Sequence, residues 1–254
     1  MQAIGSHWQL LVELVRKDFD ARYAGSILGI LWTQLYPLLL LAVYSFVFSV
    51  IFTNSIPQFP LFLFTGIALW NFFSTAIIGS TGSILANANL ITKIGFPREL
   101  IVVSVILVAF VDLLMSHVIL LAGAMWYGVY PTWAWLILPV VALVFALFCI
   151  GLGLILASAA VYLRDVRFFT EVAVLLLMFL SPVFYSDSSV PENFRVVVAV
   201  NPLATFISTY RKAMLEGVWP TAQIWLALLM PTIVAVWLGI EVFDRSQRGF
   251  PDAL

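Results

Sequence analysis

The sequence predicts an all-α integral membrane protein: an N-terminal interfacial amphipathic helix, six transmembrane helices and a re-entrant helical hairpin before the last span. Three observations predict it. The 254 residues are 63% hydrophobic and only 10% charged, and their mean hydropathy is +1.08, outside the range of soluble domains. Several apolar runs exceed the roughly 20 residues that a helix needs to cross a hydrocarbon core. Lys and Arg, finally, collect in alternate connecting segments, the pattern that charge takes around membrane spans.

The first 25 residues contain Glu13, Arg16, Lys17, Asp18, Asp20 and Arg22 and lack the continuous apolar stretch of a signal peptide. Trp8, Leu11, Val12, Val15, Phe19 and Tyr23 fall on one helical face, with Glu13, Arg16, Lys17 and Asp20 opposite. Ser6 with Gln9 reads as a capping box and Gly25 as a stop. This is expected to be a helix in the membrane plane; an amphipathic helix on a soluble domain would read the same way. Spans are expected at 26–52, 60–86, 99–126, 132–162, 167–185 and 221–243. In the fourth, Gly151, Gly153, Ala157, Ser158 and Ala160 would let a second helix approach closely.

Nine cations (Arg16, Lys17, Arg22, Lys93, Arg98, Arg164, Arg167, Arg245 and Arg248) fall on one side of these spans, and Arg195, Arg211 and Lys212 on the other. The asymmetry places both termini in the cytoplasm. Residues 186–220 hold two apolar stretches, "ENFRVVVAV" and "PLATFISTYRKAML", split at Asn201-Pro202. Each is too short to cross. They are expected to form a hairpin dipping into the outer leaflet, with Pro182 bending the span before it; two surface helices are the other reading.

Chemical motifs are mostly absent. The chain has no phosphate-binding Gly-x-x-x-x-Gly-Lys-Ser/Thr loop, no His-Glu-x-x-His, no Cys/His cluster and no Gly-x-Ser-x-Gly elbow. The single Cys149 lies in an apolar run. Catalysis by this chain is not expected. Asp112 falls near the middle of the third span, where a charge costs on the order of 3 kcal/mol. It is either protonated or hydrogen-bonded between helices, or it faces a transport path. His117 points elsewhere on that helix, and Ser116 is the nearer neighbour of Asp112. Trp32 and Tyr36 on the first span, and Trp70, Asn71 and Phe73 on the second, combine apolar faces with polar edges. That suits a path for sugars, and helix packing would use the same residues.

Six segments carry a resemblance: "RKDFDARYAGSILGILWTQLYPLLLLAVYSFVF", "LFLFTGIALWNFFSTAI", "NANLITKIGFPREL", "VYLRDVRFF", "LSPVFYS" and "NPLATFISTYRKAML". In order and spacing the chain resembles the ABC-2 type permeases that export bacterial surface polysaccharides, and the O-antigen and teichoic-acid branch more than the capsule branch. The resemblance implies a homodimer of six-span subunits in the bacterial inner membrane. Each subunit would dock on a separate cytoplasmic ATPase that holds the ATP and Mg, with no cofactor in this chain. It makes 87–98 a coupling segment, in which Asn87, Asn89, Leu90, Ile91, Lys93, Ile94, Pro97 and Arg98 meet the ATPase and Arg164 and Asp165 form a smaller contact.

The family moves polymers on undecaprenyl-type carriers. Arg16, Lys17 and Arg22 are then expected at the carrier's phosphates, although a basic face meets anionic lipid equally well. Pro182, Asn201, Pro202 and Arg211 would form an exit gate. The expected function is thus the permease of an ATP-driven exporter of a lipid-linked polysaccharide, O-antigen first, with capsular polysaccharide or teichoic acid as alternatives within the family. An ion-driven carrier is the alternative of another class; it would need more deep charges than Asp112.

Overall fold

The structure is a computed structural model that describes residues 2–23, 26, 28–29, 31–48, 56–91 and 97–253. Gly25, Lys93 and Ile94 lie outside the described residues. The regular elements among these are helices: α1 (Gln2–Tyr23), α2 (Leu31–Phe46), α3 (Phe59–Ala86), α4 (Ala88–Ile91), α5 (Glu99–Trp126), α6 (Leu138–Tyr162), α7 (Asp165–Leu180), α8 (Arg195–Val200), α9 (Pro202–Arg211), α10 (Ala222–Ser246) and α11 (Phe250–Ala253). The all-α membrane class therefore holds.

α3 is the axis of the fold. It packs against α5, α6, α2, α7 and α9, while α10 runs along α6 and α1 along α5. Bulky rings fill its flanks: Phe72 and Phe73 meet Phe145 of α6, and Phe145 stacks on Phe206 of α9 with centroids 4.6 Å apart. Helix starts follow local chemistry. Proline stands in the first turn of α3, α6 and α9, where its missing N–H costs nothing. Thr221 and Asn201 cap α10 and α9 through their side chains. Gln58, just before α3, adopts a left-handed φ of 50° and donates from Nε2 to Tyr127 O at 3.1 Å.

The small residues of α6 behave as their spacing suggests. A Cβ on Gly151 would fall under 3.0 Å from the backbone of Ala235, and one on Gly239 equally close to Gly151, so α6 and α10 touch backbone to backbone.

Two expectations are corrected. Among the described residues four helices, not six, are long and apolar enough to cross a membrane: Phe59–Ala86, Glu99–Trp126, Trp133–Tyr162 and Ala222–Gly249. Within the described residues the first and fifth predicted spans yield α2 and α7, of 16 residues each, and residues 49–52 of the first lie outside them. At 1.5 Å per residue they reach ~24 Å, short of the ~30 Å core. Gly29 turns the chain with φ 49° just before α2, and α7 stops where Ser181 becomes extended ahead of Pro182. Hydropathy counted the apolar residues but not these breaks.

Nor do residues 186–220 form a re-entrant hairpin. They make short turns, then α8 of 6 residues and α9 of 10, or ~9 and ~15 Å, with a π-helical turn Lys212–Glu216 continuing α9. The apolar face of α9 that suggested insertion (Leu203, Phe206, Ile207 and Tyr210) is instead buried against α3, α6 and α10.

Candidate functional site

α1 lies along the first half of α5 and is fastened at four points. Leu14 is buried beneath it. Lys17 Nζ donates to Asn87 Oδ1 at 2.6 Å. Ser104 Oγ of α5 donates to Asp18 Oδ2 at 2.7 Å. One turn on, Arg22 Nη1 reaches Asp112 Oδ2 at 2.7 Å, an ion pair. Asp112 lies ~20 Å along α5 from Glu99, so α1 delivers its last cation to a carboxylate placed deep in a span. A lone charge there is costly, and the pair with its short hydrogen bond offsets that cost.

The pair forms one wall of a cavity of about 680 Å³ between α1, α2, α3 and α5. Trp32, Thr33 and Tyr36 of α2 line it opposite Asn71, Ser74 and Thr75 of α3. Gln34 holds α2 to this place, donating from Nε2 to Asp112 O at 3.1 Å while its Oε1 accepts from Ser116 Oγ at 3.0 Å. Ser116 thus serves the backbone of Asp112 and Gln34, not the carboxylate. Five residues expected at a carrier contact or path, Arg22, Trp32, Tyr36, Asn71 and Asp112, come together here. Trp70 and Phe73 do not: they lie 5.6 Å apart, buried in the protomer, with Phe73 stacked on Phe145. Arg16 and Lys17 stay on the exposed side of α1, Arg16 beside Asp20 at 4.0 Å.

The segment after α3 is built into the bundle. Asn87 ends that helix, its N–H bonding Ile84 O at 3.1 Å and its Nδ2 bonding Ser83 O at 2.9 Å. In α4, Asn89 is exposed, Leu90 is half-buried and Ile91 is fully buried within the protomer. Arg98 donates to Ile91 O at 3.3 Å and to Gln247 O, tying the segment to the end of α10. Arg164 and Asp165 are exposed at the start of α7, with Asp165 favourably placed in the first helical turn.

At the opposite end of α3, residues Pro182, Asn201, Pro202 and Arg211 meet in one knot. Arg211 is buried. It donates from Nε to Thr65 Oγ1 at 3.2 Å, from Nη1 to Pro182 O at 2.8 Å and from Nη2 to Val183 O at 3.2 Å. Its guanidinium carbon sits 3.6 Å from the centre of the Phe62 ring. Gly66 makes the room, for a Cβ there would lie 2.7 Å from Nη2. Asn201 donates to Ser181 Oγ at 2.9 Å, and Pro202 starts α9. Nearby, Ser208 Oγ donates to Asp187 Oδ1 at 2.9 Å, and Lys212 lies 3.9 Å from the same carboxylate. Burial first, and Asp187 second, raise the Tyr185 phenol above its ordinary pKa, so it stays a neutral donor to Phe179 O.

Sequence reasoning missed the pairing of Arg22 with Asp112 and the socket around Arg211. A usable signal existed for the first: a mid-span carboxylate needs a cation, and Arg22 is the last one before the apolar run.

Residues 9–215 match the family model described as ABC-2 type transporter. The chain is 32% identical over 247 residues to the O-antigen export system permease protein RfbA of Myxococcus xanthus, covering 96% of this chain and 95% of that one. A Klebsiella pneumoniae protein of the same description is 29% identical over 252 residues, covering 99% and 97%. The polysialic acid transport protein KpsM of Escherichia coli is 24% identical over 247 residues, covering 92% of each. The chain belongs to the ABC-2 type transporter family, among its polysaccharide-export permeases.

Proposed function

We propose that this chain is the membrane subunit of an ATP-driven exporter that carries a lipid-linked surface polysaccharide, of the O-antigen kind, across the bacterial inner membrane. The observation that carries the reading is the cavity beside α1. It offers a cation at its wall, two aromatic rings and a row of amide and hydroxyl groups, the set that a phosphate-linked glycan requires. The O-antigen assignment rests on full-length relatives at 29–32% identity that are described as O-antigen permeases, against 24% for those of capsular polymers. The ion-driven alternative would use the deep carboxylate of Asp112, and that group is already engaged by Arg22.

The functional unit is a homodimer with a cytoplasmic ATPase on each subunit and both termini in the cytoplasm. Beyond the cavity, Leu39, Val43 and Phe46 recur every three or four residues on the exposed face of α2, a stripe suited to a second copy. The exposed Asn89 and the Arg164–Asp165 turn are the contacts offered to the ATPase. Because Asn87 is fastened to Lys17, a push on that segment would be passed to α1 as a rigid body.

The test is export in a strain that lacks its own permease. A Trp32→Ala, Tyr36→Ala double variant is expected to lower surface glycan at least roughly tenfold, since aromatic contacts contribute about 1 kcal/mol each. Both side chains are about half exposed in the protomer, so membrane levels of the protein should not change. Undiminished export would contradict the reading.

A further inference from the structure

We propose that Asp112 is a built-in competitor for the anion that Arg22 receives, so that the cavity binds a diphosphate headgroup by ion exchange. The inference rests on the exporter reading and adds to it how the site takes and releases its ligand. The pair is turned the right way for this. Both side chains line the cavity, and that of Arg22 is 31% exposed against 15% for Asp112, so the guanidinium is the more accessible of the two. The contact runs from Nη1 to a single carboxylate oxygen. Among the described residues Nε and Nη2 meet no other group, and these are atoms with which a guanidinium grips a phosphate in two-point fashion.

An anion held there would lie next to Asp112, and two negative charges at that separation repel. Arg22 must therefore turn from one to the other. Its position near the end of α1 leaves the side chain room to swing into the 680 Å³ space. Asp112 reaches less far, since its side chain is short and its backbone carbonyl is held by Gln34 and Ser116. Trp32, Tyr36 and Ile78 supply the apolar surface beside the headgroup. The carboxylate keeps the cation paired while the cavity is empty, and by taking Arg22 back it speeds the ligand's departure. A pair that served packing alone would weaken binding whichever partner was removed. An exchange site responds in opposite directions.

The experiment measures binding of farnesyl diphosphate to the full-length detergent-purified protein, with inorganic pyrophosphate and uncharged farnesol as separate arms. Asp112→Asn is expected to tighten the Kd for farnesyl diphosphate by tenfold or more. Arg22→Met should abolish binding, and the double variant should behave as Arg22→Met. Asp112→Glu retains the competitor and stays near wild type, which controls for disturbed folding. Pyrophosphate should compete, and farnesol should not bind. If Asp112→Asn binds as wild type does, or more weakly, the exchange is overturned and the exporter reading stands. If neither wild type nor Asp112→Asn binds any diphosphate, both are overturned.

Discussion

A Gly151→Val protein is expected to fail to accumulate as a folded protomer. The α6–α10 contact has no slack: the missing Cβ of Gly151 would sit against the backbone of Ala235 and Val236, and that of Gly239 against the backbone of Gly151. Backbone cannot rotate away as a side chain can, so the helices would have to separate along their length. Overpacking of a tight site costs typically 1–3 kcal/mol, and here the upper end applies, at about 3 kcal/mol. Inside a bilayer no hydrophobic force restores the pairing, because lipid tails compete equally for apolar side chains. The check is size-exclusion profile and thermal stability in detergent. Gly153→Ala is the internal control. Its Cβ would meet the side chains of Ser80 at 2.8 Å and Ile106 at 3.0 Å, groups that can shift, so its loss should be clearly smaller. Equal stability of Gly151→Val and wild type would contradict the packing described.

Arg211→Met is expected to unfasten α9 from the end of α7 and to stop export. The guanidinium satisfies two buried carbonyls and the Thr65 hydroxyl at once and stacks on Phe62. Each carbonyl left without a donor costs about 1–3 kcal/mol, and the ring contact adds on the order of 2 kcal/mol when desolvated. Removing a buried charge returns part of this, so a net loss of about 3 kcal/mol is expected. Arg211→Lys should rescue little, because an ammonium is a point charge and cannot span three acceptors set out in a plane. Limited proteolysis within 186–220 reads out the loosening directly. Protection equal to wild type would show that the socket does not hold α9.

These two sites also show what could be seen in the sequence. Long unbroken apolar runs identify the helices Phe59–Ala86, Glu99–Trp126, Trp133–Tyr162 and Ala222–Gly249, since twenty apolar residues in water have few other fates. The close approach of α6 was readable in Gly151 because a small residue on an apolar helix means a neighbour. What counting could not supply was where a helix ends. The turn at Gly29 and the extended Ser181 shorten α2 and α7, and a hydropathy window averages over both. The apolar face of α9 was legible as apolar but not as core, because burial against α3 and entry into lipid leave the same pattern.

Within the site, residue types were legible and partners were not. Asp112 stood out as a charge in an apolar run, yet its cation lies 90 residues earlier. Arg211 was expected at an exit gate, and its hydroxyl partner Thr65 is 146 residues away. Ile91, expected to face an ATPase, is buried inside the protomer. No local period encodes such pairs.

Export of a lipid-linked glycan by this permease is proposed to draw on ATP hydrolysed by a separate ATPase. Inside-out membrane vesicles containing the permease and the ATPase that co-purifies with it test the claim most directly, supplied with lipid-linked glycan. Glycan entry into the lumen is expected to require ATP hydrolysis, to persist when ionophores collapse the proton gradient and to vanish without the ATPase. Entry driven by a pH gradient through the permease alone, with no ATPase bound, would contradict the account.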